Sequence, residues 1–96
     1  MPADRQFVFR SHAIRRMFQR GITAADIRHV IDTGEVVENR PDDLPYPSRL
    51  VLGSVSGRPL HVVLADNAPE ATTVVVTVYE PSPALWHQGF RKRRKP

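Results

Sequence analysis

The chain has 96 residues, a formal net charge of +4 and no cysteine. A chain of this length forms one small domain with a single core, and the lack of cysteine excludes a disulfide framework, a thiol nucleophile and a cysteine-ligated zinc site. No apolar run approaches the ~20 residues that span a bilayer, and the first residues lack the apolar core of a signal peptide. We therefore expect a cytoplasmic domain that does not interact with membranes.

The basic residues are concentrated at the two ends of the sequence, whereas the segment between them is acidic. We predict one domain over residues 1–90 and a basic C-terminal tail over residues 91–96. The N-terminal arginines are Arg5, Arg10, Arg15, Arg16 and Arg20. If the two ends meet, they form a positive surface that attracts nucleic acid. The alternative is that the tail is only a solvated chain end.

The first predicted elements are a short strand and a helix. Phe7–Phe9 is a β-prone run, and Ser11 and Gly21 are a suitable N-cap and C-terminal stop for the helix that follows. One arc of this helix is apolar, and we expect it to be buried. Its members are Ala13, Ile14, Met17 and Phe18. The opposite arc presents His12 among arginines, a combination that suits a polyanion.

A second helix follows directly. Thr23 and Asp26 predict a capping box at its start, and the helix runs to about Thr33 before Gly34 ends it. Its apolar face consists of Ala24, Ile27, Val30 and Ile31. The two helices form an αα-hairpin that must bury its apolar faces against another layer.

The rest of the sequence predicts that layer to be a sheet. Val36–Glu38 begins extended structure, and residues 40–48 form a loop because their prolines do not fit a central strand. The remaining strands are expected at Leu50–Val55, Leu60–Ala65 and Thr72–Tyr79. A short helical turn at Ser82-Pro83 carries Leu85 and Trp86.

These elements predict an α+β fold in which the αα-hairpin packs on one face of a small, mainly antiparallel sheet of three to five strands. The expected element order is β-α-α-β-β-β, with a short C-terminal helical turn. In the last strand, Val74, Val76 and Val78 share the face that we expect to contact the helices. Thr77 and Tyr79 lie on the other face, which we expect to stay open.

Several short motifs follow one another in this sequence. They are His12-Ala13, Arg16-Met17, Arg20-Gly21-Ile22, Asp43 with Pro45-Tyr46-Pro47-Ser48, Gly57–Val63, Val78-Tyr79-Glu80-Pro81 and Trp86. Over roughly residues 7–94, this pattern resembles a bacterial domain-of-unknown-function family within the superfamily of RelE-like and ParE-like toxins. The resemblance implies a RelE-like fold, a type II toxin that cleaves RNA without metal, and a cognate antitoxin as partner. Gln19 departs from the pattern, since relatives are expected to have an acid there.

Metal-free RNA cleavage needs a base for the 2′-hydroxyl proton, an acid for the leaving 5′-oxygen and cations for the phosphorane. A free histidine side chain has a pKa of about 6.5, which suits proton transfer at neutral pH, and His12 and His61 are the candidates. Tyr79 offers a ring that stacks on a base or a hydroxyl that contacts phosphate. We therefore predict that His12, His61 and Tyr79 are catalytic. The alternatives are a hydrogen-bonded core role for His61 and a packing role for Tyr79.

Arginines grip phosphate bidentately, and several are candidates for RNA binding. They are Arg15, Arg16, Arg49, Arg58, Arg91, Arg93 and Arg94. The alternative is that these side chains are only solvated. No metal site is predicted, because the histidines lack the close spacing of metal ligands, and no cofactor is predicted. RNA, free or on the ribosome, is the expected substrate.

The proline-rich segment from Asp42 to Ser48 allows two interpretations. Its prolines stiffen the loop, so Tyr46 and Arg49 could line a substrate groove. A rigid connector between strands is the interpretation we favour, because such loops usually only route the chain.

Three functions fit the sequence. The first is an endoribonuclease toxin, the second a ParE-like module that inhibits a protein target without catalysis, and the third a nucleic-acid-binding domain. The pair of histidines favours the nuclease, since binding alone rarely needs two titratable groups. Gln19, in place of an acid, favours the other two.

Overall fold

The computed structural model describes residues 6–95, which form two helices and one five-stranded sheet. Arg5 of the N-terminal basic group lies outside the described residues. The elements are β1 (Gln6–Phe9), α1 (Ser11–Arg20), α2 (Ala24–Thr33), β2 (Glu35–Arg40), β3 (Ser48–Val55), β4 (Arg58–Asn67) and β5 (Thr72–Tyr79). The predicted mixed α and β composition is confirmed, but four strands follow the helices instead of three. Neither of the described helices has the length and apolarity needed to cross a membrane.

The strands lie in the order β1-β5-β4-β3-β2. β1 is parallel to β5, and every other neighbouring pair is antiparallel. The β3–β4 connection is a tight hairpin through Ser56 and Gly57, whose φ angles are +50° and +81°. Such positive values are typical of the turns that join twisted antiparallel strands. The chain therefore folds as a meander from β2 to β5, with β1 added at the edge of β5.

The main core lies between the helices and one face of the sheet. Its buried members are Ala13, Ile22, Ile27, Val30, Val51, Leu60, Val62, Leu64, Val75 and Val78. α1 packs on β5, and α2 packs chiefly on β3. Burial of each large aliphatic side chain contributes about 1.5–3 kcal/mol, so this layer supplies most of the stability. We call the sheet surface away from the helices the open face.

The face of β5 that contacts the helices differs from the prediction. Val63 pairs with Thr77 and Leu64 with Val75, which leaves Val76 as an extra residue in β5. This irregularity shifts the side-chain alternation by one residue. Val75 and Val78 therefore enter the main core, and the prediction for Val74 and Val76 was wrong.

The helix ends show why both helices begin and stop where they do. Arg10, not Ser11, is the N-cap of α1, and no side chain caps this end. Gly21 ends α1 in the left-handed conformation with a φ of 64°. The predicted capping box of α2 is confirmed, because Asp26 N–H donates to Thr23 Oγ1 at 3.0 Å and Thr23 N–H donates to Asp26 Oδ2 at 2.9 Å.

The apolar arc of α1 is only half buried. Ala13 is fully buried and Met17 packs against the main core. In contrast, Ile14 is 53% exposed and Phe18 is 90% exposed. The prediction that all four apolar residues are buried was therefore wrong for these two. The physical reason is that α1 packs on β5, an outer part of the sheet, and so only a narrow strip of the helix is covered.

Candidate active site on the open face of the sheet

Two segments cover the two ends of the open face. We call residues 41–47 the proline loop and residues 82–95 the C-terminal segment. Some buried apolar residues lie outside the main core, namely Leu50, Ala65, Val74 and Trp86. Between the covered ends, the paired residues Val63 and Thr77 are half-buried. We call this strip of sheet the central cleft.

His61 lies on the open face beside its cross-strand partner Tyr79 and has no exposed surface. The imidazole is bonded at both nitrogens: Nδ1 is 3.3 Å from Tyr79 Oη, and Nε2 is 2.9 Å from the Phe90 carbonyl oxygen. A carbonyl oxygen only accepts, so Nε2 carries the proton in the neutral ring. Nδ1 therefore accepts the hydrogen bond that the Tyr79 hydroxyl donates. His61 is thus both a satisfied buried histidine and the proton acceptor of Tyr79.

Trp86 covers this pair. Its ring meets His61 edge to face, with 4.4 Å between ring centroids, and only 2% of the residue is exposed. A turn holds it in place, because the Trp86 N–H donates to the Ser82 carbonyl at 3.0 Å. On the outer side, the Arg93 guanidinium lies 4.6 Å from the Trp86 ring centroid, a cation–π contact. The C-terminal segment therefore closes one end of the open face.

A charged group borders the pair on the β2 side. Glu38 accepts from Arg93 Nε at 2.6 Å and from Arg40 Nη2 at 2.7 Å. The hydrogen bond from Arg93 is the largest of the effects that hold the pKa of Glu38 below 4.5. This carboxylate thereby fixes the C-terminal segment to β2, and the charges of Glu38 and Arg93 act on both His61 and Tyr79.

Burial shifts the pKa values of His61 and Tyr79 in opposite directions. It lowers the pKa of His61 below 6.5, although the hydrogen bond to the Phe90 carbonyl and the charge of Glu38 oppose the shift. It raises the pKa of Tyr79 above 10.0. Both groups are therefore neutral at pH 7, with a hydroxyl proton facing an unprotonated ring nitrogen. This arrangement can relay a proton from a substrate through the tyrosine to the histidine.

The lowered pKa of His61 predicts a pH dependence of stability. Below pH 6.5 the unfolded chain binds a proton at this histidine more readily than the folded chain does, so the free energy of unfolding falls as the pH falls. Protonation of Glu38, whose pKa lies below 4.5, acts at lower pH, which separates the two effects. Urea unfolding at pH 7.5 and 5.5 measures the loss.

The exposed residue His29 supplies the control for that measurement. The His29→Ala variant should lose as much stability between the two pH values as the original chain does. A His61→Gln variant should lose much less. Equal pH dependence in His61→Gln and the original chain would contradict the assigned neutral state of His61.

The structure does not bring the two predicted catalytic histidines together. His12 is exposed on α1, and within residues 6–95 its side chain has no hydrogen bond or ring contact with His61. Both nitrogens of His61 are already bonded. The partner that the structure gives to His61 is Tyr79, the third residue of the predicted set.

Most of the predicted phosphate-binding arginines are engaged within the protein. Arg49 pairs with Asp66, Arg58 bonds Glu80 and the Arg20 carbonyl, and Arg91 pairs with Glu35 at 2.7 Å. Arg94 Nε donates to the carbonyls of Pro83 and Trp86 at 2.7 and 3.0 Å. Together with the Arg93–Glu38 bond, these contacts attach residues 91–94 to the domain. Residues 91–94 therefore fold back onto the domain instead of extending into solvent.

The arginines of α1, in contrast, are not paired with carboxylates among residues 6–95. Arg15 is exposed and Arg16 is partly exposed. Neither forms an ion pair with a carboxylate within the described part of the chain. The same holds for Arg10, immediately before the helix. These cations are therefore available to a phosphate backbone.

A groove of about 170 Å³ lies on the open face beneath the proline loop. Its lining residues are Arg10, Asp43, Leu44, Pro45, Tyr46, Ser48, Val63, Ala65 and Val76. The loop is held by hydrogen bonds from Ser48 Oγ to Asp43 at 2.6 Å and from Asn67 Nδ2 to the Tyr46 hydroxyl at 3.1 Å. These hydrogen bonds hold the loop in place as a connector between β2 and β3. The loop also forms one wall of the groove. Tyr46 lines this groove, whereas Arg49 is not among its lining residues.

Sequence reasoning placed Arg10 only in the N-terminal positive surface, and it missed three further contributors to this site: Glu38, Arg40 and Phe90. The role of Phe90 rests on its backbone carbonyl, so its side chain gave no signal. Among residues 6–95 there is no group of three or more metal-ligating side chains.

Comparison with known proteins identifies a family but no characterised relative. Residues 9–80 match the family model described as Domain of unknown function (DUF4258). This match confirms the sequence-based assignment to a domain-of-unknown-function family. No curated protein and no solved structure matches the chain.

Proposed function

We propose that this chain, which belongs to the DUF4258 family, is a metal-independent endoribonuclease that cleaves RNA in the central cleft. The observation that carries the proposal is the hydrogen bond between the Tyr79 hydroxyl and buried His61 at the border of this cleft. A neutral donor and a neutral acceptor in contact are the elements that proton transfer at pH 7 requires.

In the proposed reaction, the 2′-oxygen of a nucleotide attacks the adjacent phosphorus and the bond from phosphorus to the 5′-oxygen breaks. Tyr79 Oη accepts the 2′-hydroxyl proton while its own proton passes to His61 Nδ1. The resulting imidazolium is stabilised by the Phe90 carbonyl and by the charge of Glu38. The 5′-oxygen leaves with a proton from water, and the hydroxide that remains takes up, through the Tyr79 hydroxyl, the proton held by His61, so both side chains return to their neutral state. The products are a 2′,3′-cyclic phosphate and a 5′-hydroxyl.

Arg10 is the proposed phosphate ligand at the cleft, because it lines the groove next to Val63 and Val76. Arg15 and Arg16 extend the positive surface along α1 and are proposed to bind the RNA backbone further from the cleaved bond. The arginines of the C-terminal segment are assigned to holding that segment, since each already bonds a carboxylate or a carbonyl.

The resemblance to RelE-like toxins supplies the proposed setting. The chain would act on RNA in a bacterial cytoplasm as the toxin of a type II toxin–antitoxin system. A protein antitoxin encoded nearby would hold it inactive. Co-expression with the neighbouring gene and co-purification tests this part of the proposal, and consistent recovery of the chain alone contradicts it.

The test of the proposed function is cleavage of a long unstructured RNA, beside DNA of the same sequence, in excess EDTA. The chain should cut RNA and spare DNA, because DNA lacks the attacking 2′-hydroxyl. Arg10→Ala should weaken RNA binding and cleavage. Arg28→Ala is the control, because it changes the net charge by the same amount as Arg10→Ala but alters an arginine stacked on Phe7. It should leave RNA binding and cleavage unchanged. Salt-sensitive RNA binding without cleavage would support a binding domain instead.

A further inference from the structure

The outer surface of α1 carries an uncovered apolar strip. Phe18 is 90% exposed and Ile14 is 53% exposed, and residues four apart lie side by side on a helix. Together with Ser11, Arg15 and Gln19 they line a shallow groove of about 500 Å³. We call these five residues the α1 surface. It points away from the main core, so no packing among residues 6–95 explains its apolar character.

The surroundings of the α1 surface are strongly basic. α1 contains Arg15, Arg16 and Arg20 and no acidic residue, and Arg10 directly precedes it. Arg15 is itself part of the groove wall. The surface thus combines an apolar strip with a positive field, and a suitable occupant must be apolar on one side and negatively charged beside it.

From this combination we propose that the α1 surface binds an acidic amphipathic helix of a second protein. Apolar side chains of that helix, spaced three and four residues apart, pack on Phe18 and Ile14. Its carboxylates pair with Arg15 and its neighbouring arginines. Phe18 is the anchor, since a nearly fully exposed aromatic side chain gains the most from desolvation at the centre of an interface.

Two other occupants fit less well. A second copy of this chain docked through the same surface would place the arginines of one α1 against those of the other, and this repulsion opposes a symmetric pair. An RNA backbone satisfies Arg15 and Arg16, as proposed above, but it would leave Ile14 against phosphates and sugars. The acidic helix satisfies both the apolar and the basic part. The inference extends beyond the proposed ribonuclease activity and does not depend on it.

The probe for the test is a phage-displayed library of helical peptides of about 16 residues, selected against the complete chain in buffer of moderate salt. The selected peptides should be acidic, with apolar residues at helical spacing. Their affinity should fall more than tenfold for Phe18→Ala, a loss typical of an interface anchor, and also for Arg15→Glu. The matched control is Leu85→Ala, which also removes a large exposed apolar side chain but lies outside the α1 surface. This variant should leave affinity unchanged.

The substitutions at Phe18 and Arg15 alter exposed side chains, so the fold is expected to survive them, and circular dichroism verifies this. Phe18→Ala should also leave RNA cleavage in EDTA unchanged, which distinguishes this inference from the proposed function. Selection of basic or pattern-free peptides, or of peptides that bind Phe18→Ala equally well, would overturn the inference. So would failure to select any binder, or a concentration-dependent dimer that Phe18→Ala abolishes.

Discussion

Replacement of Tyr79 by phenylalanine is expected to lower the rate of RNA cleavage about 100-fold or more, within the range that general acid–base groups contribute. The variant lacks only the hydroxyl that donates to His61 Nδ1. Without it, the 2′-hydroxyl proton has no route to the buried imidazole. We expect kcat to decrease with little change in KM, because the phenylalanine ring still occupies the position of the tyrosine ring on the sheet. Single-turnover cleavage of a labelled RNA in EDTA measures the rate.

Tyr46→Phe is the matched control for this substitution. Tyr46 is the other tyrosine of the chain, it lines the groove beneath the proline loop, and its hydroxyl bonds Asn67 instead of a histidine. It should retain cleavage within a few-fold of the original rate. Full activity of Tyr79→Phe, or an equal loss in both variants, would remove the Tyr79–His61 pair from the mechanism.

Truncation of Trp86 to alanine is expected to lower the free energy of unfolding by about 3–5 kcal/mol, the range for loss of a large buried aromatic residue. Trp86 is 2% exposed and packs on His61, while Arg93 stacks on its outer side. Its loss opens a cavity beside His61 and removes the ring that Arg93 covers. Urea unfolding followed by circular dichroism measures the change.

Leu85→Ala serves as the control, because Leu85 adjoins Trp86 in the chain but is 63% exposed. The expected cost is within about 0.5 kcal/mol, as for most surface substitutions. If Trp86→Ala were equally mild, the C-terminal segment would not be a packed part of the domain. The covered environment assigned to His61 would then be wrong.

Local signals in the sequence predicted the helices and most strands well. Thr23 with Asp26, and Gly21 at a left-handed position, determine helix ends through contacts a few residues apart. The alternation in Leu60–Ala65 likewise matches the structure, in which Leu60, Val62 and Leu64 enter the main core. Such features depend on neighbouring residues, and a single sequence contains the information they require.

Features that depend on contacts between distant parts of the chain could not be predicted from local sequence signals. The extra residue at Val76 is a property of the register between β4 and β5. The exposure of Phe18 depends on how much of α1 the sheet reaches. Both faces of β5 are apolar enough to be buried, and the apolar arc of α1 is wider than the strip that the sheet covers, so periodicity alone could not choose the buried residues.

The candidate site was only partly predictable for a related reason. His61 and Tyr79 were identified because titratable residues on the open face are chemically conspicuous. The arginines near residue 91 were assigned to phosphate because a charge run gives no sign of its partners. Those partners, Glu35 and Glu38, are more than fifty positions earlier in the chain.

The proposed cleavage of RNA by Tyr79 and His61 without metal leaves characteristic fragment ends, which mass spectrometry identifies after digestion in excess EDTA. We expect fragments that end in a 2′,3′-cyclic phosphate and begin with a 5′-hydroxyl, formed by the original chain and at least ~100-fold more slowly by Tyr79→Phe. Fragments with 3′-hydroxyl and 5′-phosphate ends, or cleavage that stops when EDTA is added, would contradict the proposed mechanism.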